Sequence, residues 1–94
     1  MPYEILYHPL VASDDISGIP ANMALRIKHA IEERLMKEPL FAGKPLRRSL
    51  RGHRKLRIGD YRVIYRVEKD TILILKIGHR KEVYLKMLSR MTKK

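Results

Sequence analysis

The pattern of apolar and polar positions divides the chain into a helical first half and a strand-rich second half. Tyr3 to Tyr7 has the composition of a β-strand. Pro9 suits a first helical position, so a short helix is predicted over 9–17, and Gly18 to Pro20 interrupts it. A second helix is predicted from Pro20 to about Lys37, because apolar residues recur there at helical spacing: Met23, Ile27, Ala30, Ile31 and Leu35. The two helices form a helical hairpin.

The second half alternates apolar and polar residues with the period of a β-strand. Strands are predicted over 55–58, 61–67 and 71–77, joined by turns at Gly59-Asp60 and at 68–70. A short closing helix is predicted from Lys81 or Glu82 to Arg90, because Val83, Met87 and Met91 follow at helical spacing. The expected fold is a single α+β domain spanning 1–94, with an N-terminal strand, a helical hairpin, a three-stranded antiparallel meander and a short C-terminal helix.

The strand register follows from the turns. A two-residue turn at Gly59-Asp60 pairs Ile58 with Tyr61 and Arg57 with Arg62, which separates an apolar face from a basic one. The apolar face then carries Leu56, Ile58, Tyr61, Val63, Tyr65 and Val67, and the basic face carries Lys55, Arg57, Arg62, Ile64 and Arg66. A three-residue turn at 68–70 is preferred, because it places Leu73, Leu75 and Ile77 on the apolar face and Lys76 on the basic one. The sheet is thus predicted to offer an apolar face to the helices and a basic face to a ligand.

The chain is strongly basic, and the charge is concentrated in one stretch. The chain has 21 Lys and Arg against 10 Asp and Glu, a formal net charge of +11. Nine of these cations fall between positions 44 and 66, beside the single acid Asp60: Lys44, Arg47, Arg48, Arg51, Arg54, Lys55, Arg57, Arg62 and Arg66. Such a field attracts polyanions, so nucleic acid is favoured as a partner over an acidic protein or an anionic membrane surface. Like charges side by side on a sheet disfavour folding, which indicates that they hold phosphate.

Several classes of protein are excluded or disfavoured. The apolar runs at 63–65 and 71–75 are too short to span a bilayer, and the first ten residues lack the features of a signal peptide, so a cytoplasmic protein without a membrane partner is expected. Cysteine is absent, which excludes disulfides, thiolate catalysis and cysteine-bound metal. The acids are scattered and the four histidines lack ligand spacing, so neither a metal nor a small-molecule cofactor is expected.

What remains for chemistry is Lys, Arg and Tyr, with His79 as an outside candidate. This set suits attack of an RNA 2′-hydroxyl on its own adjacent phosphate, because the substrate itself supplies the nucleophile. The protein must accept one proton, stabilise the negative phosphorane and protonate the leaving 5′-oxygen. Arginine binds phosphate in a forked geometry, and crowded cations lower the high pKa of a lysine or tyrosine towards that of a useful base.

Three motifs in the second half resemble the RelE/ParE toxin superfamily. They are Leu50-Arg51-Gly52, then the run from Arg54 to Tyr65, then the run from Ile77 to Tyr84. The resemblance as a whole covers essentially the entire chain. The resemblance implies a toxin of a type II toxin–antitoxin system that cleaves messenger RNA on the ribosome and is inhibited by a cognate antitoxin protein. It also implies a site of Lys55, Arg57, Arg62, Arg80 and Tyr84, in which Lys55, Arg62, Arg80 and Tyr84 are catalytic and Arg57 binds RNA. The concentration of cations in the second half adds further RNA-binding candidates: Arg54, Arg66, Lys76, Lys81 and Arg51.

The carry-over has one departure and leaves alternatives open. The second cation of the strand pair is Arg57, where the ribonuclease members have lysine; because arginine stays protonated, Arg57 is expected to bind phosphate and not to accept a proton. Either Lys55 or Tyr84 is the base. The rival functions are a ParE-like inhibitor of gyrase without enzymatic activity and a plain RNA-binding module. The latter is disfavoured by a thin stacking surface of one Phe and no Trp.

Overall fold

The computed structural model describes residues 3–92, which form a five-stranded mixed sheet. The strands are β1 (Glu4–Tyr7), β2 (Lys44–Pro45), β3 (Arg54–Ile58), β4 (Tyr61–Glu68) and β5 (Thr71–His79), in the spatial order β1-β5-β4-β3-β2. β1 runs parallel to β5, whereas the other neighbours are antiparallel. The predicted α+β fold with its meander is confirmed, and β2 is an additional short edge strand.

The helices agree closely with the predicted hairpin. The first comprises a wide helical turn at Val11–Asp15 and a tight one at Ile16–Gly18; the second comprises α1 (Ala21–Ala30), continued by a wide turn at Ile31–Leu35. A short helix α2 (Pro39–Ala42) and a tight turn at Arg48–Leu50 flank β2, and α3 (Val83–Thr92) closes the fold. Among residues 3–92, no helix is both long and apolar enough to cross a membrane.

The register between β3 and β4 is as predicted, with Ile58 opposite Tyr61 and Arg57 opposite Arg62. The predicted three-residue turn at 68–70 is wrong. Glu68 pairs with Thr71, so the turn has two residues, and Lys69 adopts a positive φ of 55°. A two-residue turn alone would have directed Lys76 into the apolar face.

A β-bulge in β5 resolves this conflict. Tyr65 pairs with Ile74 and Ile64 pairs with Lys76, so Leu75 is an extra residue in the ladder. The bulge reverses the alternation along β5. The predicted core positions of Leu73 and Leu75 are wrong: the two-residue turn places Leu73 opposite Arg66 on the other face, and the bulged Leu75 joins a second cluster.

Two apolar cores lie on opposite faces of the sheet. The larger lies beneath the helical hairpin, where the stripe of Ile27, Ile31 and Leu35 packs on the predicted apolar face of β3 and β4. The smaller lies beneath α3 and is built from Leu50, Ile64, Val83 and Met87. The second face is therefore only partly basic, because α3 covers its middle. The cations gather beside α3, towards the β3–β4 turn and the β2 edge.

Candidate nucleic-acid interface

A pocket of about 220 Å³ collects five cations from four parts of the fold. Its lining comprises Arg34, Ala42, Gly43, Lys44, Lys55, Arg57 and Arg62. None of these lining residues is acidic. The arrangement is suited to a polyanion, such as a nucleic-acid backbone with its successive phosphodiesters.

Two cross-strand pairs place like charges side by side in this pocket. Arg57 lies directly opposite Arg62, and Lys44 lies opposite Lys55. Such pairs oppose folding unless an anion lies between them. The Arg62 guanidinium is held in place at the β3–β4 turn, where its Nη1 donates to the carbonyl oxygens of Gly59 and Tyr61, each at 2.9 Å.

Lys55 and Tyr84 come together although they are far apart in sequence. The Lys55 Nζ lies 5.7 Å from the centre of the Tyr84 ring, within the range of a cation–π contact. Tyr84 is half-buried and packs against the cluster beneath α3, which orients its ring. The predicted pair of candidate proton acceptors is thus contiguous with the basic pocket through Lys55.

Arg80 is positioned by the same turn as Arg62. Its backbone N–H donates to the Asp60 carbonyl oxygen at 2.8 Å, and its Nε lies 3.5 Å from Asp60 Oδ1. The Arg80 side chain stays half-exposed, so the ion pair is weak and leaves the guanidinium accessible to an anion. Asp60, the single acid of the basic stretch 44–66, is thus a positioning partner for Arg80.

Lys76 does not belong to this interface, and its predicted RNA-binding role is wrong. Its side chain is 10% exposed, and Nζ donates to Asp15 Oδ1 at 2.8 Å. The buried Asp15 carboxylate also accepts two hydrogen bonds from Arg90, at 2.9 and 3.1 Å, and one from the Ile77 N–H at 2.9 Å. Burial opposes ionisation of this carboxyl, but the donated hydrogen bonds outweigh it and hold the pKa of Asp15 below its ordinary value.

This Asp15 cluster closes a gap in the sheet. β1 covers β5 only as far as Ile74, so the edge of β5 beyond that point lacks a strand partner. Asp15 caps the free N–H of Ile77, and Arg90 donates to the carbonyl oxygen of Leu75 at 2.8 Å. Lys76 is therefore part of a structural ion cluster that ties α3 to the helical hairpin.

Two further predicted RNA-binding residues are diverted from the pocket. Arg54 lies opposite Tyr65 on the apolar face, where its Nη2 donates to the carbonyl oxygens of Leu40 at 2.6 Å and Gly43 at 3.0 Å. Arg66 shares the face of Arg62 but pairs with Glu68 at 2.9 Å. It lies four residues along β4, about 13 Å away. Neither residue lines the basic pocket.

The remaining predicted contacts stay predictions. Arg51 is exposed in the turn before β3, and Lys81 is exposed in the turn between β5 and α3. Sequence reasoning missed Arg34 as a pocket residue and gave Lys44 no role beyond the general charge. Lys44 was visible in the basic stretch, whereas Arg34 had no signal, because it lies on the helical hairpin.

Within the part of the chain that the structure describes, no three His, Asp or Glu side chains gather into a group that could hold a metal ion.

Comparison with known proteins identifies the family. Residues 5–84 match the family model described as the ParE toxin of type II toxin–antitoxin systems, parDE. Toxin RelG of Mycobacterium tuberculosis is 35% identical over 86 residues, covering 89% of this chain and 98% of the relative. Toxin RelE of the same organism is 31% identical over 83 residues, covering 83% of this chain and 86% of the relative.

Solved structures agree. The crystal structure of the toxin–antitoxin complex RelBE2 from Mycobacterium tuberculosis contains a chain with a TM-score of 0.78 and 33% identity, covering 85% of this chain and all (100%) of that one. A mutant of Escherichia coli toxin RelE in the free state has a TM-score of 0.73 at 18% identity, covering 97% and 99%, a likeness of fold alone.

Fold and site together define a small α+β protein with a RelE-like sheet and a cation-lined pocket. The chain belongs to the RelE/ParE superfamily of toxins of type II toxin–antitoxin systems.

Proposed function

We propose that this toxin is an endoribonuclease that cleaves messenger RNA without a metal ion, by attack of a 2′-hydroxyl on the adjacent phosphate. The observation that carries the proposal is the joining of two features: a pocket with five cations and a Lys55–Tyr84 pair that shares Lys55 with it. The first feature binds and stabilises a phosphorane, and the second supplies a proton acceptor.

The reaction distributes these roles along the cleft. The 2′-oxygen forms a bond to phosphorus as its proton passes to the Lys55–Tyr84 pair, and the bond from phosphorus to the 5′-oxygen breaks. Arg57 and Arg62 hold the non-bridging oxygens, whose negative charge grows in the transition state. Arg80, at the turn that also positions Arg62, stabilises the leaving 5′-oxygen, which takes its proton from water, and the Lys55–Tyr84 pair returns the 2′-proton to solvent. The products are a 2′,3′-cyclic phosphate and a 5′-hydroxyl.

The proposal extends to the protein's partners and its place of action. The RelBE2 complex, like archaeal RelE–RelB complexes of known structure, joins a toxin to an antitoxin. We propose that a cognate antitoxin binds this chain too and that its acidic or amphipathic segment covers the basic pocket. The substrate is then messenger RNA on the ribosome, in the cytoplasm.

A second function has its own support. The matching family model is described by its ParE members, and a ParE-like toxin would inhibit gyrase without enzymatic activity. The cation-lined pocket beside Tyr84 favours the ribonuclease, because binding a folded protein target does not require a proton acceptor next to phosphate-binding arginines.

One pair of assays separates these functions. Purified toxin added to a translation reaction is expected to produce discrete cuts in the message, detected by primer extension, while gyrase supercoils DNA at its normal rate in the same toxin concentration. Intact message together with inhibited supercoiling would replace the proposed function with the gyrase alternative. Intact message and normal supercoiling, with RNA still bound, would indicate a binding module.

A further inference from the structure

The most exposed large apolar side chain among the described residues is Phe41, at 84%. It is also the only phenylalanine in the chain. An exposed aromatic ring is unfavourable in water, and the two cores do not use it. Phe41 lies next to the basic pocket, because Ala42 and Gly43, which follow it directly, line that pocket.

The backbone around Phe41 accepts four hydrogen bonds from side chains. Tyr65 donates its hydroxyl to the Pro39 carbonyl oxygen at 2.6 Å, and Arg54 donates to those of Leu40 at 2.6 Å and Gly43 at 3.0 Å. Arg34 donates to the Ala42 carbonyl oxygen at 3.3 Å. Burial raises the pKa of Tyr65, despite the neighbouring Arg54, so its hydroxyl remains a donor.

The residue that follows α2 packs closely against the sheet. A Cβ added to Gly43 would overlap the Tyr65 hydroxyl and the Lys55 carbonyl oxygen. The turn is thus seated directly on β3, the strand that supplies Lys55 and Arg57 to the pocket. Three donors and a close backbone contact hold a four-residue helix whose outward residue is an unpartnered ring.

We propose that Phe41 is a nucleobase-binding residue, whose ring stacks on an unpaired base of an RNA that places its phosphates in the adjacent basic pocket. This inference rests on the proposed function. Charge decides the class of partner: the pocket next to the ring contributes five cations, and the combination of an aromatic face with a cationic groove is how proteins bind single-stranded nucleic acid. Arg54, which was expected to bind RNA directly, instead holds the turn that presents the ring.

The absence of tryptophan makes a direct test available, because Phe41→Trp introduces a unique fluorophore. We expect its emission to be quenched on titration with a single-stranded RNA oligonucleotide carrying 2′-O-methyl groups, which cannot be cleaved. An oligonucleotide of equal length and charge with abasic sites should quench it far less. The matched control is Leu25→Trp on α1, at a position that is 55% exposed and does not line the basic pocket, and it should respond weakly to both.

Affinity and salt dependence distinguish stacking from charge. Phe41→Ala is expected to weaken RNA binding by roughly 5- to 150-fold, the range for one base–aromatic stack. The slope of log affinity against log salt should not change, whereas Lys44→Ala should make it shallower by about 0.7, the value for one contact to a single-stranded phosphate. Phe41→Tyr should restore binding. On ribosomes, the Phe41→Ala change should raise KM more than it lowers kcat.

The possible results distinguish a base of the message from a base of ribosomal RNA. They also distinguish failure of the Phe41 inference from failure of the proposed function. Quenching by the free oligonucleotide indicates a base of the message, and quenching only by ribosomes without message indicates ribosomal RNA; either supports the inference. No quenching in both arms, or unchanged affinity in Phe41→Ala, overturns it while cleavage by the unaltered protein continues. Loss of antitoxin binding with RNA binding intact also overturns it and assigns the ring to a protein interface. If the unaltered protein neither binds nor cuts RNA, the proposed function has failed and the inference fails with it.

Discussion

The Arg62→Ala protein is expected to cut RNA about 100- to 1,000-fold more slowly than the unaltered protein, while remaining folded. The magnitude is that of removing one preorganised donor from a developing oxyanion. Arg62 lies opposite Arg57, so its removal relieves like-charge repulsion, and the cost is two hydrogen bonds from Nη1 to turn carbonyls. These opposing terms leave the free energy of unfolding within about 1 kcal/mol of its original value.

The adjacent residue provides the matched control. Val63 points to the opposite face and is fully buried (0% exposed), so Val63→Ala is expected to lower the free energy of unfolding by about 1–3 kcal/mol and to preserve the rate per folded molecule. Thermal melts and single-turnover cleavage rates measure both quantities. If Arg62→Ala were the more destabilising variant, or cut RNA normally, its assignment to the phosphate pocket would be wrong.

The largest expected effect on stability comes from Asp15, far from the pocket. Asp15→Ala should lower the free energy of unfolding by about 3–5 kcal/mol, because it leaves the buried Lys76 and Arg90 without their common counter-ion. The exposed ion pair between Glu33 and Lys37 is the control, and Glu33→Ala should cost less than about 1 kcal/mol. Chemical denaturation measures both changes. Equal effects would mean that the cluster adds nothing beyond a surface pair.

The same cluster gives the fold an acid-sensitive point. Because the pKa of Asp15 is lowered in the folded protein, its stabilising contribution is fully present above the ordinary carboxyl value of 3.8 and is lost as the pH falls through the lower, folded-state value. The difference in stability between the unaltered protein and Asp15→Ala should therefore shrink as the pH falls below about 4. A difference that stays constant through this range would contradict the assigned ionisation.

The face assignment of β3 and β4 was predictable because a slip of one residue would have buried Arg57 and Arg62. The burial of Lys76 and its pairing with Asp15 were not predictable in the same way. They depend on a bulge at Leu75 and on a carboxylate 61 residues earlier in the chain, and neither leaves a local pattern. The charge of Lys76 suggested a ligand contact, whereas the structure gives it a buried partner.

The interface shows the same division. Lys55, Arg57 and Arg62 could be placed together from strand alternation and one turn, because those rules are local. Arg34 reaches the pocket only through the packing of the helical hairpin on the sheet, and Arg54 leaves it because Arg54 shares a face with Leu56 and Tyr65. A basic stretch therefore indicated the class of ligand but not which cations would meet it.

The chemistry of the cut ends is the most direct test of the central claim. A message cleaved by the toxin should carry a 2′,3′-cyclic phosphate, or the 3′-phosphate derived from it, on one side and a 5′-hydroxyl on the other, because the 2′-oxygen is the nucleophile. A message with a 2′-O-methyl group at the cleaved nucleotide should bind and stay intact, because binding uses the phosphates and cleavage uses the missing hydroxyl. Recovery of 5′-phosphate ends, or normal cutting of the 2′-O-methyl message, would contradict the account.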